Sequence, residues 1–134
     1  ILGDGSDFRQ PLAAERARKF LDNAALCAFF SHPRAFTPLQ WADGDSFDQQ
    51  LVFYLKAGQT AEAGVDTPLL ALFNFSNKQE FKKTLTLESL DLPKGKYILK
   101  DFMTDTILGA VENNQVSLSI PAKDAWLMKI IKND

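Results

Sequence analysis

One cysteine, Cys27, and one histidine, His32, are all that the 134 residues hold of either type. An intrachain disulfide and a Cys/His zinc cluster are therefore excluded. Any dyad or triad that needs histidine rests on one residue beside Pro33. Charge of one sign is also scarce. With 15 Lys and Arg against 17 Asp and Glu the formal charge is -2, and no basic stripe interleaved with aromatics occurs, so nothing points to nucleic acid. No apolar run is long enough to span a bilayer, and no positively charged segment leads into an apolar one at the start. A phosphate-cradling loop is missing too, because "GDGSD" near the start precedes no strand, turn and helix unit.

What remains is an ordinary globular composition, 46% hydrophobic and 24% charged, in a chain the size of one domain with enough length to bury a core. The first residue is Ile1 and the opening "ILGDGSDF" has no targeting character, which reads as a piece of a longer protein.

Residues 11–30 read as helical. Pro11 suits a first helical position, and Leu12, Ala13, Ala17, Phe20, Leu21, Ala24 and Ala28 recur at spacings of three and four. Asp22 and Asn23 favour caps, so the spacing predicts one helix ending near Asp22 and a second through Phe30, stopped by Pro33. The second, "AALCAFF", is apolar almost all round and should lie wedged between other elements, with Cys27 as a small buried hydrophobe.

From residue 48 onward the pattern is that of strands. "DQQLVFYLKAG" and "TPLLALFNFSN" are rich in β-branched, aromatic and long apolar residues, with an exposed loop over 57–67 between them. In "FKKTLTLESL" Phe81, Lys83, Leu85 and Leu87 share one face, and Lys82, Thr84, Thr86 and Glu88 the other. Pro93 and Gly95 mark a turn, and Asn113-Asn114 mark a two-residue hairpin. Val116, Leu118 and Ile120 point inward, and Trp126 alternates with Met128 and Ile130 as a core residue. The expected fold class is mainly β: an antiparallel β-sandwich of seven or eight strands behind a short N-terminal helical segment.

The loop "WADGDSFDQ" carries the strongest cluster of polar candidates. Counted from Asp43, an EF-hand register puts Phe47 at its fifth position and Asp48 at its sixth, so that pattern fails and no metal site is assigned. A glycosidase acid pair needs two rigidly spaced carboxyls, one of them desolvated, which a glycine-containing loop does not provide. Trp41 could stack on a pyranose ring while Asp43, Asp45 and Asp48 accept hydroxyl hydrogen bonds; the plainer role for Trp41 is a plug between helices and sheet. Tyr54 and Tyr97 complete the aromatic candidates for carbohydrate contact. His32, at a helix C-terminus, has no identifiable nucleophile or partner, and an ordinary dipole contact explains it.

The order of "ERARKFLDNAALCAFF", "PLLALFNFSN", "LDLPKGKYILKDFMTDTILG" and "VSLSIPAKDAWLMKI" resembles the C-terminal part of the α-galactosidase (melibiase-like) glycoside hydrolases. Leu72, Phe73, Asn74 and Ser76 match an "ALFNxS"-like strand, and Asp101, Thr104 and Gly109 a "DLWTGxxLG"-like segment. Pro121, Leu127, Lys129 and Ile130 match a closing strand, while Met103 stands where the family often has tryptophan and Asp105 where it often has glycine. The resemblance implies that residues 1–40 end a (β/α)8 barrel and residues 41–134 form the β-sandwich. It implies no catalytic residue and no cofactor in this chain, because the family's two catalytic aspartates sit on upstream barrel strands. The upstream barrel is then the partner, carbohydrate a further one, and the 11–30 helix a surface for self-association. The family's usual work on external glycans would place the parent in the periplasm or outside the cell. The alternative role, from a different class, is a carbohydrate-binding module.

Overall fold

The computed structural model describes residues 9–31, 34–39, 50–58 and 67–133, with the side chains of residues 50 and 51 left aside. Two helices, α1 (Pro11–Leu21) and α2 (Ala24–Ser31), precede eight strands. These are β1 (Thr37–Pro38), β2 (Gln50–Leu55), β3 (Leu69–Asn74), β4 (Phe81–Thr86), β5 (Tyr97–Asp101), β6 (Ile107–Ala110), β7 (Gln115–Ile120) and β8 (Asp124–Lys132). β1 falls inside the segment read as the helical remnant and pairs with β2.

Pro11 starts α1 because its missing N–H is one that the first turn leaves unpaired in any case. The break comes where the sequence places it. The Asp22 N–H closes on the Arg18 carbonyl, and Asn23 Oδ1 accepts from the Leu26 N–H at 2.9 Å, capping α2. The Cys27 thiol is half-buried and donates to the Leu21 carbonyl at 3.3 Å, across the junction of the two helices.

A six-stranded sheet runs in the order β1-β2-β3-β8-β5-β6, and β4 and β7 pair as a second sheet; every pairing is antiparallel. Alternation sorts the large sheet into two faces. The inner one presents Val52, Tyr54, Leu70, Leu72, Leu99, Met128 and Ile130 to Phe81, Leu85, Val116, Leu118 and Ile120 of the small sheet. Thr84 and Ser117, opposite each other in register, join hydroxyls on the solvent side at 3.0 Å. Gly109 permits the close approach of β6 to β7, since a Cβ there would meet Leu118 at 3.2 Å and Val116 at 3.4 Å. Asn113 and Asn114, at φ 51° and 62°, close the β6–β7 hairpin as the sequence predicts.

Two matched motifs owe their residues to this geometry. Asn74 is buried at the end of β3; its amide donates to the carbonyls of Gln79, Ile120 and Pro121 and accepts from the Ser76 N–H. Ser76 Oγ then accepts from the Lys78 and Gln79 N–H groups, and its carbonyl from the Lys123 N–H. The pair thus ties the end of one sheet to the start of the other. Asp101 Oδ1 accepts from the N–H groups of Met103 and Thr104 and from the Thr104 hydroxyl, building the turn into β6.

That turn also explains the departure at 105. Asp105 has φ 58°, the left-handed region where a Cβ is strained, so glycine fits there without cost to the backbone. Its carboxylate compensates by pairing with Lys129, whose hydrogen bond and charge hold the Asp105 pKa below the ordinary carboxylate range. Asp105→Gly should therefore melt about 4 °C above Asp105→Ala, because both lose the ion pair and only alanine keeps the strain. Calorimetry of the two variants checks this; equal melting points would place the strain elsewhere.

Candidate interface on the outer face of the large sheet

The outer face of the six-stranded sheet also carries an apolar cluster, which the described residues cover only in part. Leu26 and Phe29 of α2 pack on Leu55, Leu69 and Phe102, with Phe36, Met103 and Leu127 around them. α2 therefore lies against the outside of the sheet, not between the two sheets. Phe29 meets the rings of Phe30, Phe36 and Phe102 at centroid distances of 5.5, 6.1 and 5.7 Å. Beyond it the face opens into a groove of about 530 Å³ bordered by Phe20, Phe30, Phe53, Phe73 and Met103. A continuous aromatic strip extends it: Phe53 meets Phe73 edge-on at 6.0 Å, and Phe73 stacks on Phe75 at 5.9 Å. Phe20 is 44% exposed, Phe30 47% and Phe75 58%.

Polar groups are sparse in this groove. Asp101 reaches it, but Oδ1 of that carboxylate serves the turn described above. At the margin Lys129 pairs with Asp105 and lies 5.8 Å from the Phe102 ring centroid, a cation held over an aromatic face. Such a surface excludes water from whatever covers it and offers little to a hydroxyl-rich ligand. It suits a protein surface.

The sequence candidates fall elsewhere. Trp41, Asp43, Asp45, Asp48 and His32 lie outside the described residues. Tyr54 and Tyr97 are 4% and 5% exposed, core residues on the inner face, so neither presents the open ring that stacking on a sugar requires. Alternation along β2 and β5 points both rings inward, where they fill the sandwich, and the Tyr97 hydroxyl donates to the Pro93 carbonyl at 3.0 Å. Trp126 packs on the inner core as its alternation predicts, but it is half-buried, borders the groove, and donates from Nε1 to Asp124 at 3.1 Å. Among the described residues no group of three or more His, Cys, Asp or Glu is placed to hold a metal ion.

Burial is the main cause that pushes the Tyr54 phenol up to about 12, with Asp91 and Tyr97 adding to it. The folded pKa is raised, so the stability linked to this proton is intact below pH 10.0, the phenol's ordinary value, and is lost as pH rises towards 12. Wild type should lose about 1 kcal/mol by about pH 11 relative to Tyr54→Phe. Parallel urea titrations from neutral pH upward measure the difference; matching curves would mean that the phenol ionises as freely in the folded chain as in the unfolded one.

The chain is an antiparallel β-sandwich, and solved structures of several glycoside hydrolases contain a similar fold over a part of their length. No family profile and no curated protein matches the sequence. The GH27 β-L-arabinopyranosidase from Geobacillus stearothermophilus superposes with a TM-score of 0.62 at 16% identity, over 87% of this chain and 23% of that one. The α-amylase from Geobacillus thermoleovorans gives 0.59 at 19% identity, over 96% of this chain and 25% of that one. AmyP, solved with maltose, gives 0.51 at 14% identity, over 89% and 19%. The chain thus spans a quarter or less of these enzymes' length. Arabinopyranosidase and amylase both carry it, so the likeness shows the fold and does not choose between these activities.

Proposed function

We propose that this chain is a non-catalytic accessory domain of an α-galactosidase-like glycoside hydrolase, packed through its outer face against the catalytic barrel. The observation that carries the reading is the groove between α2 and the sheet with its exposed Phe20, Phe30 and Phe75. α1 and α2 belong to that interface: α1 buries only Ala17 and leaves Leu12, Phe20 and Leu21 exposed, an apolar surface suited to further helices. In this reading residues 1–40 close the barrel and residues 41–134 form the accessory sandwich. The α-galactosidase assignment rests on the matched motifs around Asn74, Asp101 and Lys129. A glycosidase working on external glycans would place the parent in the periplasm or outside the cell.

The test compares this chain with a form extended upstream through the barrel, on nitrophenyl α-galactoside. Turnover by the long form alone is the expected result. Turnover by the short chain would end the accessory reading and make Asp43, Asp45 and Asp48 the first residues to replace.

A further inference from the structure

A second cavity, of about 580 Å³, opens at one end of the sandwich and shares no lining residue with the groove. One wall is the connection from β4 to β5 and the other is the tip of the β6–β7 hairpin. Its character is opposite to that of the groove. Glu88, Lys94, Asn113, Asn114 and Gln115 line it with exposed side chains that have no hydrogen-bond partner among the described residues. Asp91 adds a carboxylate paired with Lys56 at 2.8 Å.

The walls are held in place without those side chains. The Leu87 N–H donates to the Asn114 carbonyl at 3.0 Å, bridging the two walls, and the Leu92 N–H to the Leu87 carbonyl at 2.9 Å. Thr86 and Ser89 exchange side-chain and backbone hydrogen bonds, and the buried Tyr97 hydroxyl fixes the Pro93 carbonyl. A preformed cleft of this size is in the range of about 300–1,000 Å³ that small ligands occupy. Its unpaired groups keep their full capacity for one.

From this geometry we infer that the cleft is a binding site for a neutral, hydroxyl-rich ligand of the size of a mono- or disaccharide. Carboxamides suit such a ligand because each donates and accepts, and so can bridge neighbouring hydroxyls. Charge argues for neutrality: Glu88 and Asp91 are offset by Lys94 and by Lys56 beside Asp91, leaving no field of one sign. Leu92 and Pro93 supply the apolar contact for the C–H face of a pyranose. No aromatic ring among the described residues lines the cleft, so affinity is modest, with a dissociation constant on the order of 1 mM.

The test is an amide-resolved NMR titration of the isotope-labelled chain with methyl α-galactopyranoside, methyl β-L-arabinopyranoside and maltose in turn. At least one should give saturable shifts at Glu88, Asn113, Asn114 and Gln115, weakened roughly tenfold by Gln115→Ala and by Asn114→Gly, which keeps the left-handed turn. Gln115→Ala decides the matter should the glycine variant fail to fold. Absence of saturable shifts with all three sugars, or shifts gathered at Phe73 and Phe75 instead, overturns the assignment. Absence of shifts leaves the docking reading untouched, whereas shifts at Phe73 and Phe75 would place the sugar on the docking face itself.

Discussion

Asn74→Ala is expected to lower the stability of the chain by about 3 kcal/mol, a large share of what a domain of this size possesses. The side chain is 1% exposed, and both ends of its carboxamide are hydrogen-bonded. Alanine leaves the carbonyls of Gln79, Ile120 and Pro121 without this donor, and the Ser76 N–H without its acceptor, the Ile120 and Ser76 bonds being fully buried. Leaving such groups unpaired costs more than the bonds contribute when made. Asn74→Asp sharpens the test. A carboxylate would keep the Ser76 contact but face three carbonyl oxygens, so the loss should be greater at neutral pH than in mild acid, where the protonated form can donate one bond. Ser76→Ala, whose partners are only partly buried, should cost about 1 kcal/mol. Urea unfolding of the three variants measures the ranking. A loss at Asn74→Ala no larger than at Ser76→Ala would show that the two sheets are held together without this corner.

The strand β4 was legible because it faces one apolar layer. Phe81, Leu85 and Leu87 are buried while Lys82, Thr84 and Glu88 are exposed or nearly so, as the period of two demands. The helix break was legible from cap chemistry at Asn23, and the hairpin from Asn113-Asn114. Asn74 was visible only as a motif letter: nothing in "LFNFS" tells a buried network from an exposed polar pair. Tyr54 and Tyr97 were misplaced for a related reason. An amphipathic ring is equally at home in a core or on a platform, and the alternation that points both inward outweighs residue type. The groove was not legible at all. Phe53 and Phe73 are far in sequence from Leu26 and Phe30 of α2, and their common surface exists only once β2, β3 and α2 are placed together.

If the outer face docks on a barrel, Phe30→Glu with Phe75→Glu should weaken that association roughly 100-fold and cost the isolated chain little beyond its ring contacts with Phe29 and Phe73. Both rings are about half exposed, so neither substitution opens a cavity in the core, and surface changes of this kind usually stay within about 0.5 kcal/mol. At an interface the same two changes forfeit the remaining apolar burial and desolvate two carboxylates against an apolar partner, together about 3 kcal/mol. The full enzyme should then lose activity at lower temperature while its kcat at 25 °C is preserved, since the catalytic residues lie on the barrel in this reading. The isolated chain gives a complementary signal. With its apolar face bare, wild type should self-associate as concentration rises, and the double variant should sediment as a monomer. A full-length enzyme whose inactivation temperature ignores both charges would mean that the barrel does not cover Phe30 and Phe75. The apolar face would then owe its character to self-association alone, which the sedimentation measurement reads directly.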